Sequence, residues 1–238
     1  MWIRLRQQDH SYQYKVDIKM KIIILVQSVE AERYPELVKT QQETWDSIKH
    51  PDVTVLYYYP ITTTKRGVDG NRLYVGGTEE LNYSFINTIR AFREIMMMEW
   101  DFIFKTDNSS YVNIEELVKI LSTKPISGFY GGYLHPEITP TKFLEGVGYA
   151  ISRDVATHLI DVYANMPTHR MGFEDRWIGS LLTDKIEWDT TMEICNYYKL
   201  TGPIPVSHLY QCKNNHPDAI KFDDEIRAMH AIHKQLTA

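Results

Sequence analysis

Basic clusters, long aliphatic runs and cysteine motifs are all missing from this sequence of 238 residues. No run rich in Lys and Arg exists to contact phosphates, and the formal net charge is −5, so we expect no nucleic-acid partner. The longest aliphatic run, residues 22–26, is far shorter than the ~20 residues that span a bilayer. We therefore expect no transmembrane segment either.

The two cysteines, Cys195 and Cys212, form no CxxC pattern and have no cluster of metal ligands near them in the sequence. We expect two reduced thiols, although a disulfide between them stays open because its geometry cannot be read from sequence. Residues 1–19 are polar and lack the apolar middle part of a signal peptide. The missing signal peptide predicts a polar N-terminal arm and a cytoplasmic location, and the length of 238 residues without a clear linker predicts a single domain over residues 20–238.

The sequence predicts strands and helices that alternate along the chain, which indicates an α/β fold. Runs of aromatic and β-branched residues predict strands over residues 21–27, 53–59, 100–104, 129–134 and 204–210, with a short one at 73–75. Apolar residues three or four apart predict helices over residues 35–45, 79–98 and 220–236, and further helices that begin at Asn113, Ser152 and Gly172. This alternation is typical of a mostly parallel sheet with helices on both faces.

Residues 100–112, WDFIFKTDNSSYV, change abruptly from a buried strand to a polar turn. Lys105 and Thr106 follow the apolar part, then come the polar letters DNSS, residues 107–110, and Asn113 opens a helix as its capping residue. Open α/β sheets bind ligands outside the carboxyl ends of their strands. We therefore expect this turn to lie in the binding site.

Two further segments point to a site. Gly146 and Gly148 lie two positions apart in an apolar stretch, which suggests close approach of the backbone to a ligand or to another strand. Glu174 and Asp175 begin a predicted helix, where the helix dipole stabilises carboxylates in any case. From composition alone, that structural role is the simpler explanation for the two acids.

The oxygen-bearing side chains of residues 107–110 suit a hard cation such as Mg²⁺ or Mn²⁺, which in proteins usually also binds a diphosphate. Such a cation would neutralise charge on a departing diphosphate, and Glu174 or Asp175 could accept the proton of an attacking hydroxyl. One acid for the metal and one for the base would suit sugar transfer from a nucleotide-diphosphate donor. A nucleotide-sugar or phosphate-ester hydrolase would need a second acid cluster, which we do not find.

Four segments, in order over residues 44–179, resemble the fringe and β1,3-galactosyltransferase type of glycosyltransferase, which has the GT-A fold. Thr44-Trp45 resembles that family's R-x-T-W segment without its arginine, and residues 104–112 resemble K-x-D-D-D-x-(Y/F)-V. Residues 145–152 are similar to G-x-G-Y-(V/A)-(L/I)-S, and residues 174–179, EDRWIG, to E-D-V-x-x-G.

The resemblance implies a GT-A-like fold and an inverting transfer from a nucleotide-diphosphate sugar, a UDP-sugar, to a hydroxyl of a glycan acceptor. It implies that Asp175 is the catalytic base, with Glu174 beside it. The implied donor-binding residues are Gln27, Ser28, Lys105, Asp107, Asn108, Ser109, Gly146 and Gly148. The implied ligands of Mn²⁺ or Mg²⁺ are Asp107, Ser109 and His208.

One departure from the family pattern bears on the metal. Where the family has three acids, this chain has Asp107-Asn108-Ser109, so a neutral hydroxyl stands where the strongest metal ligand is expected. Three outcomes follow: a metal held weakly by Asp107, His208 and the diphosphate; catalysis without metal that relies on Lys or Arg; or binding without turnover. We predict a glycosyltransferase, and the alternative is a non-catalytic module of the same fold that binds a nucleotide sugar or a glycan.

Overall fold

The computed structural model describes residues 20–31, 33–61, 64–136, 142–166, 172–213 and 221–238. In these residues the strands are β1 (Ile22–Gln27), β2 (Val53–Tyr59), β3 (Gly67–Asp69), β4 (Arg72–Tyr74), β5 (Phe102–Asp107), β6 (Ser110–Val112), β7 (Tyr130–Leu134), β8 (Leu144–Ser152), β9 (Trp188–Asp189), β10 (Cys195–Asn196) and β11 (Leu209–Gln211). The helices are α1 (Tyr34–Glu43), α2 (Ser84–Glu94), α3 (Ile114–Leu121), α4 (Arg153–Ala164), α5 (Glu174–Leu182) and α6 (Lys221–Leu236). The predicted N-terminal arm, residues 1–19, lies outside the described residues.

The central sheet has eight strands in the order β3-β4-β2-β1-β5-β8-β7-β9. β1 lies between β2 and β5 and is parallel to both. β4 is parallel to β2 and β9 to β7, whereas β8 is antiparallel to β5 and β7, and β3 to β4. Because β1 and β5 are parallel and in register, their last residues, Gln27 and Asp107, lie side by side at one end of the sheet.

Helices cover both faces of this sheet. Successive strand residues point to opposite faces, so alternate residues of β1 pack against different helices. On one face, Ile22 and Ile24 of β1 pack with apolar residues of α1, α3 and α6. On the other face, Ile23 and Leu25 pack with apolar residues of α2, α4 and α5. β1 is therefore buried on both sides, as its uninterrupted aliphatic sequence predicts, and the predicted α/β class is confirmed.

β5 extends further than the sequence predicts, to Asp107 rather than Phe104. The sequence predicts that the strand ends before its first polar residues, but Lys105 and Thr106 are both buried. The Thr106 hydroxyl donates to the carbonyl of Val147 at 2.7 Å, and Lys105 pairs with a buried carboxylate described below. Buried polar groups that have partners are tolerated inside a sheet. β5 therefore continues through Lys105 and Thr106 and ends at Asp107.

The helix predicted over residues 79–98 is much shorter in the structure. A 3₁₀ turn at Leu81–Tyr83 precedes α2, and α2 ends at Glu94. The carbonyl of Ile95 accepts a hydrogen bond from Trp100 Nε1 at 3.0 Å. That carbonyl also accepts the N–H of Met98 at 3.0 Å, so the chain leaves α2 through a turn that the Trp100 indole supports.

Of the residues at which these two helices are predicted to begin, Asn113 caps α3 and Ser152 does not cap α4. Asn113 Oδ1 accepts a hydrogen bond from the backbone N–H of Glu116 at 3.3 Å, so Asn113 caps α3. Ser152 precedes α4 but its side chain makes no capping hydrogen bond. Its hydroxyl oxygen instead accepts the N–H of Phe129 at 2.9 Å, which joins the end of β8 to the residue before β7.

A second sheet of three strands, in the order β10-β11-β6, lies next to the Asp107 turn. β11 is antiparallel to β6, with Gln211 opposite Ser110. The strand predicted over residues 204–210 begins only at Leu209. Before it, the N–H of Ser207 donates to the hydroxyl of Tyr210 at 2.8 Å and not to a neighbouring strand.

Candidate active site

A cleft of about 530 Å³ lies at the carboxyl ends of β1 and β5 and at the N-terminus of α5. It brings together most of the residues that the sequence predicts for the site. Those that line it are Gln27, Ser28, Lys105, Asp107, Asn108, Ser109, Gly146, Glu174 and Asp175. The two acidic segments, at residues 107 and 174–175, are thus far apart in sequence and face one cavity.

The turn after β5 is held by its own hydrogen bonds and by side chains of α1 and of the short 3₁₀ turn that follows α1. Asp107 Oδ1 accepts the N–H of Ser109 at 2.9 Å and the hydroxyl of Ser110 at 2.7 Å. Gln41 Nε2 donates to the carbonyls of Asp107 (3.0 Å) and Ser110 (2.8 Å). Trp45 Nε1 donates to the same Ser110 carbonyl at 3.2 Å. Gln41 and Trp45, the latter in the segment that resembles the R-x-T-W motif, therefore support the turn through hydrogen bonds to its carbonyl groups.

Asn108 fixes the turn to the end of β1. Its Nδ2 donates to the hydroxyl of Ser28 at 3.2 Å, and both side chains are buried. Because its amide nitrogen donates to Ser28, Asn108 forms the floor of the cleft between β1 and the turn.

A buried ion pair connects β5 to the first residue of α5. Lys105 Nζ lies 2.6 Å from Glu174 Oε2, with the two side chains only 3% and 4% exposed, and it also donates to the Gly146 carbonyl at 3.1 Å. The Tyr149 hydroxyl donates to the other oxygen, Glu174 Oε1. Burial raises the pKa of Glu174, and the Lys105 cation opposes that rise. Both oxygens of Glu174 are therefore used within the protein.

Asp175, the next residue, is half-buried and faces the cleft. Its Oδ1 accepts the backbone N–H of Arg176 at 2.7 Å. Its Oδ2 lies 3.4 Å from the point where a Cβ on Gly146 would stand, so the carboxylate packs against the bare backbone of β8. Of the two acids of this helix, Asp175 presents an oxygen to the cavity, and Glu174 holds the helix in place.

Two predicted site residues do not line the cleft. A Cβ on Gly148 would stand 2.4 Å from Leu209 Cδ2 and 2.9 Å from Phe104 Cζ, so this glycine allows β11 to approach β8. Gly148 therefore serves close packing against another segment, one of the two alternatives that its spacing leaves open.

His208, the second of these residues, is buried, with its ring edge-on to Phe104 at 6.2 Å between centroids. Burial lowers the pKa of His208 to about 4.

The described residues offer a poor set of protein ligands for a metal ion at the turn. At the turn, Asp107 is the one carboxylate, and one of its oxygens already accepts two hydrogen bonds from the turn itself. Ser109 brings no charge, and His208 does not line the cleft. Among the described residues, no group of three or more His, Cys, Asp or Glu side chains is placed to hold a metal ion. The Mn²⁺ or Mg²⁺ site stays a prediction.

The structure adds two charged residues that the sequence does not indicate, Glu79 and Lys213. Lys213 lines the cleft beside the turn, because the N–H of Cys212 donates to the carbonyl of Ser109 at 2.8 Å. Lys105 and Lys213 are the cationic side chains among the described residues that line the cavity, and Lys105 is already paired with Glu174. No motif surrounds Lys213, and only the pairing of β11 with β6 brings it to the site.

The comparisons with known proteins bear on the fold. No model of a protein family matches the chain, and no curated protein does. Among solved structures, the chain is similar to the crystal structure of a glycosyltransferase involved in the glycosylation of the major capsid of PBCV-1. The likeness has a TM-score of 0.53 at 13% identity and covers 89% of this chain and 99% of that one. It confirms the GT-A-like fold, and membership of the fringe type stays a prediction.

Two of the opening expectations concern the chain as a whole. Both thiols, Cys195 and Cys212, are free in the structure, as predicted. Within the described ranges, no helix has the length and apolar character that crossing a membrane requires.

Proposed function

We propose that this protein transfers a sugar from a nucleotide-diphosphate donor, a UDP-sugar, to a hydroxyl of a glycan acceptor with inversion at the anomeric carbon. The observation that carries the proposal is that Asp107 and Asp175 face one cleft at the carboxyl ends of β1 and β5. Ligands of open α/β sheets bind in this position. The GT-A-like fold, shared with a known glycosyltransferase, supports the same reaction class.

In the proposed reaction Asp175 is the general base. The acceptor hydroxyl gives its proton to Asp175 Oδ2 while its oxygen attacks the anomeric carbon of the donor. The bond from that carbon to the diphosphate oxygen breaks, and its electron pair leaves with the nucleoside diphosphate. A positioned carboxylate of this kind contributes a rate factor of about 10² to 10⁴.

Glu174 is a positioning residue in this proposal and not the base. Its carboxylate is almost fully buried, is paired with Lys105 at 2.6 Å and accepts the Tyr149 hydroxyl, so both of its oxygens are engaged within the protein. The backbone N–H of Glu174 also donates to the Ser84 hydroxyl oxygen at 3.2 Å. These contacts fix the first turn of α5 and with it the direction of Asp175.

Negative charge on the departing diphosphate requires a cation in the cleft, because Glu79, Asp107 and Asp175, which line it, are themselves acidic. Lys213 is the cation that we assign to this role. It lines the cleft next to Ser109, the position at which the sequence lacks its third acid.

Binding and turnover together test the proposal. Thermal unfolding with UDP-, GDP-, CMP- and dTDP-sugars, each with and without Mn²⁺, identifies the nucleotide, and release of the nucleoside diphosphate reports turnover. We expect stabilisation by a UDP-sugar and slow release of UDP. An equal response to every nucleotide, or none, would refute the donor assignment.

A non-catalytic module that binds the same ligands is the second candidate. The neutral Ser109 at the turn and the engaged oxygen of Asp107 favour it. It predicts tight binding of a nucleotide sugar with no release of nucleotide under any metal condition, so the same experiment separates the two functions.

A further inference from the structure

Two large apolar side chains stand exposed at the mouth of the candidate cleft. Leu81 is 63% exposed and Phe173 is 48% exposed, and both line the same cavity as Asp175. Exposed apolar groups that are gathered at a cavity mark binding surfaces, whereas scattered ones carry no such meaning. Other exposed large apolar residues, such as Met97 and Val206, do not line this cleft.

Hydrogen bonds fix the segments that carry these two side chains to each other. The N–H of Gly172 donates to the carbonyl of Asn82 at 2.6 Å. The Ser84 hydroxyl donates to the Gly172 carbonyl at 3.3 Å, and its oxygen accepts the N–H of Glu174 at 3.2 Å. The 3₁₀ turn that starts at Leu81 is thus joined to the residues on both sides of Phe173. The apolar pair is built into the fold before any ligand arrives.

Phe173 lies close to the proposed base in the sequence and borders the same cleft. Phe173 is two residues before Asp175 and directly precedes the first turn of α5. The guanidinium carbon of Arg176 lies 5.7 Å from the centroid of the Phe173 ring. The ring also borders the cleft. A molecule that places a hydroxyl at Asp175 therefore occupies a cleft that Phe173 also lines.

We propose that Leu81 and Phe173 form an acceptor platform, on which a pyranoside ring of the acceptor lays its C–H face while one of its hydroxyls points to Asp175. Pyranosides have faces made of C–H groups, and an aromatic ring is the largest flat apolar surface that a protein offers to such a face. The platform orients the hydroxyl before the reaction, which is a source of catalysis separate from the base. This inference rests on the proposed function and assigns the acceptor side of the same cleft.

Binding of simple glycosides to the full-length protein tests the platform. The probes are methyl α- and β-glycosides of glucose, galactose, mannose and N-acetylglucosamine, observed by saturation-transfer NMR in the presence of UDP. We expect the ring C–H protons of at least one glycoside to receive saturation more strongly than its O-methyl group. We expect Phe173→Ala to weaken that glycoside about three- to tenfold, and Phe173→Trp to retain it.

Matched variants separate a specific contact from general damage. Leu81→Ala is expected to weaken the same glycoside, whereas Val206→Ala, which removes an equally exposed apolar side chain away from the cleft, is expected to leave it unchanged. UDP affinity should stay the same in all four variants, which shows that each one folds.

Each other outcome has a definite meaning. Equal glycoside binding in wild type and Phe173→Ala, or an equal loss in Val206→Ala, overturns the platform. If UDP binds but no glycoside does, the platform is overturned and the proposed donor site stands. If no nucleotide binds while glycoside binding still depends on Phe173, the proposed function fails and the platform remains as a glycan-binding surface.

Discussion

Lys105 of β5 and Glu174 of α5 form an ion pair of 2.6 Å that is almost fully buried under the candidate cleft. The pair connects the strand that carries Asp107 to the helix that carries Asp175. Removal of one partner of a buried pair leaves an uncompensated charge, which costs about 3–5 kcal/mol. The pair therefore holds together the two halves of the site.

We expect Lys105→Met to lower the free energy of unfolding by about 3 kcal/mol or more, since Glu174 then stays buried without its cation. Urea denaturation measures the change. The control is Lys119→Met, which breaks an exposed pair with Glu116 and should cost less than about 1 kcal/mol. An equal, small effect of both variants would show that the buried pair does not stabilise the fold.

Asp175→Asn is expected to reduce the rate of UDP release in the transfer reaction by about 10²-fold or more, because asparagine cannot accept the proton. Affinity for the UDP-sugar should change little, since the donor contacts lie at the turn. Asp184→Asn is the matched control, because Asp184 lies outside this cleft and has φ +61°, a conformation that asparagine also tolerates. Full activity in Asp175→Asn would exclude Asp175 as the base.

Lys213→Gln is expected to weaken the UDP-sugar and UDP about tenfold, and Lys213→Arg to retain most of the affinity, because the contact requires a positive charge. Isothermal titration calorimetry measures both ligands, and the exposed Lys185→Gln serves as the control. The same titrations in EDTA distinguish the source of charge. Binding and turnover that survive EDTA but fall in Lys213→Gln support the lysine, whereas loss in EDTA with recovery in Mn²⁺ supports the metal that the sequence pattern predicts.

Stability should fall as pH is lowered below neutrality, and His208 accounts for part of this fall. Burial lowers the pKa of His208 to about 4 from an ordinary value of 6.5. Between these values the unfolded state binds a proton that the folded state does not, so the free energy of unfolding decreases by roughly 3 kcal/mol as pH falls from 6.5 to 4.

Urea denaturation of His208→Gln from pH 7 to pH 4 checks this contribution. The variant, which has no proton to bind at this position, should show a shallower pH dependence than the wild type. His158→Gln, at an exposed position on α4, should keep the wild-type slope. Parallel pH profiles of wild type and His208→Gln would mean that His208 does not resist protonation in the folded protein.

Local sequence determined most of the elements, although it did not predict β8, and most of the candidate site. The aliphatic run of β1 predicts a strand buried on both faces, and Asn113 predicts the start of α3, because periodicity and capping are interactions between near neighbours. The polar residues after Phe104 and the acids at the start of α5 mark the site for the same reason, since each lies at the end of a recognisable element.

Only the tertiary structure decided how those residues are used. Lys105 continues a strand because Glu174, far along the chain, neutralises it. Glu174 and Asp175 look alike in sequence, yet one is consumed by that ion pair and the other faces the cleft. Lys213 and the pair of Leu81 and Phe173 reach the cavity through strand pairing and hydrogen bonds between distant segments. Such long-range contacts leave no local pattern, because each residue's partner is chosen by the folded chain and not by its neighbours in sequence.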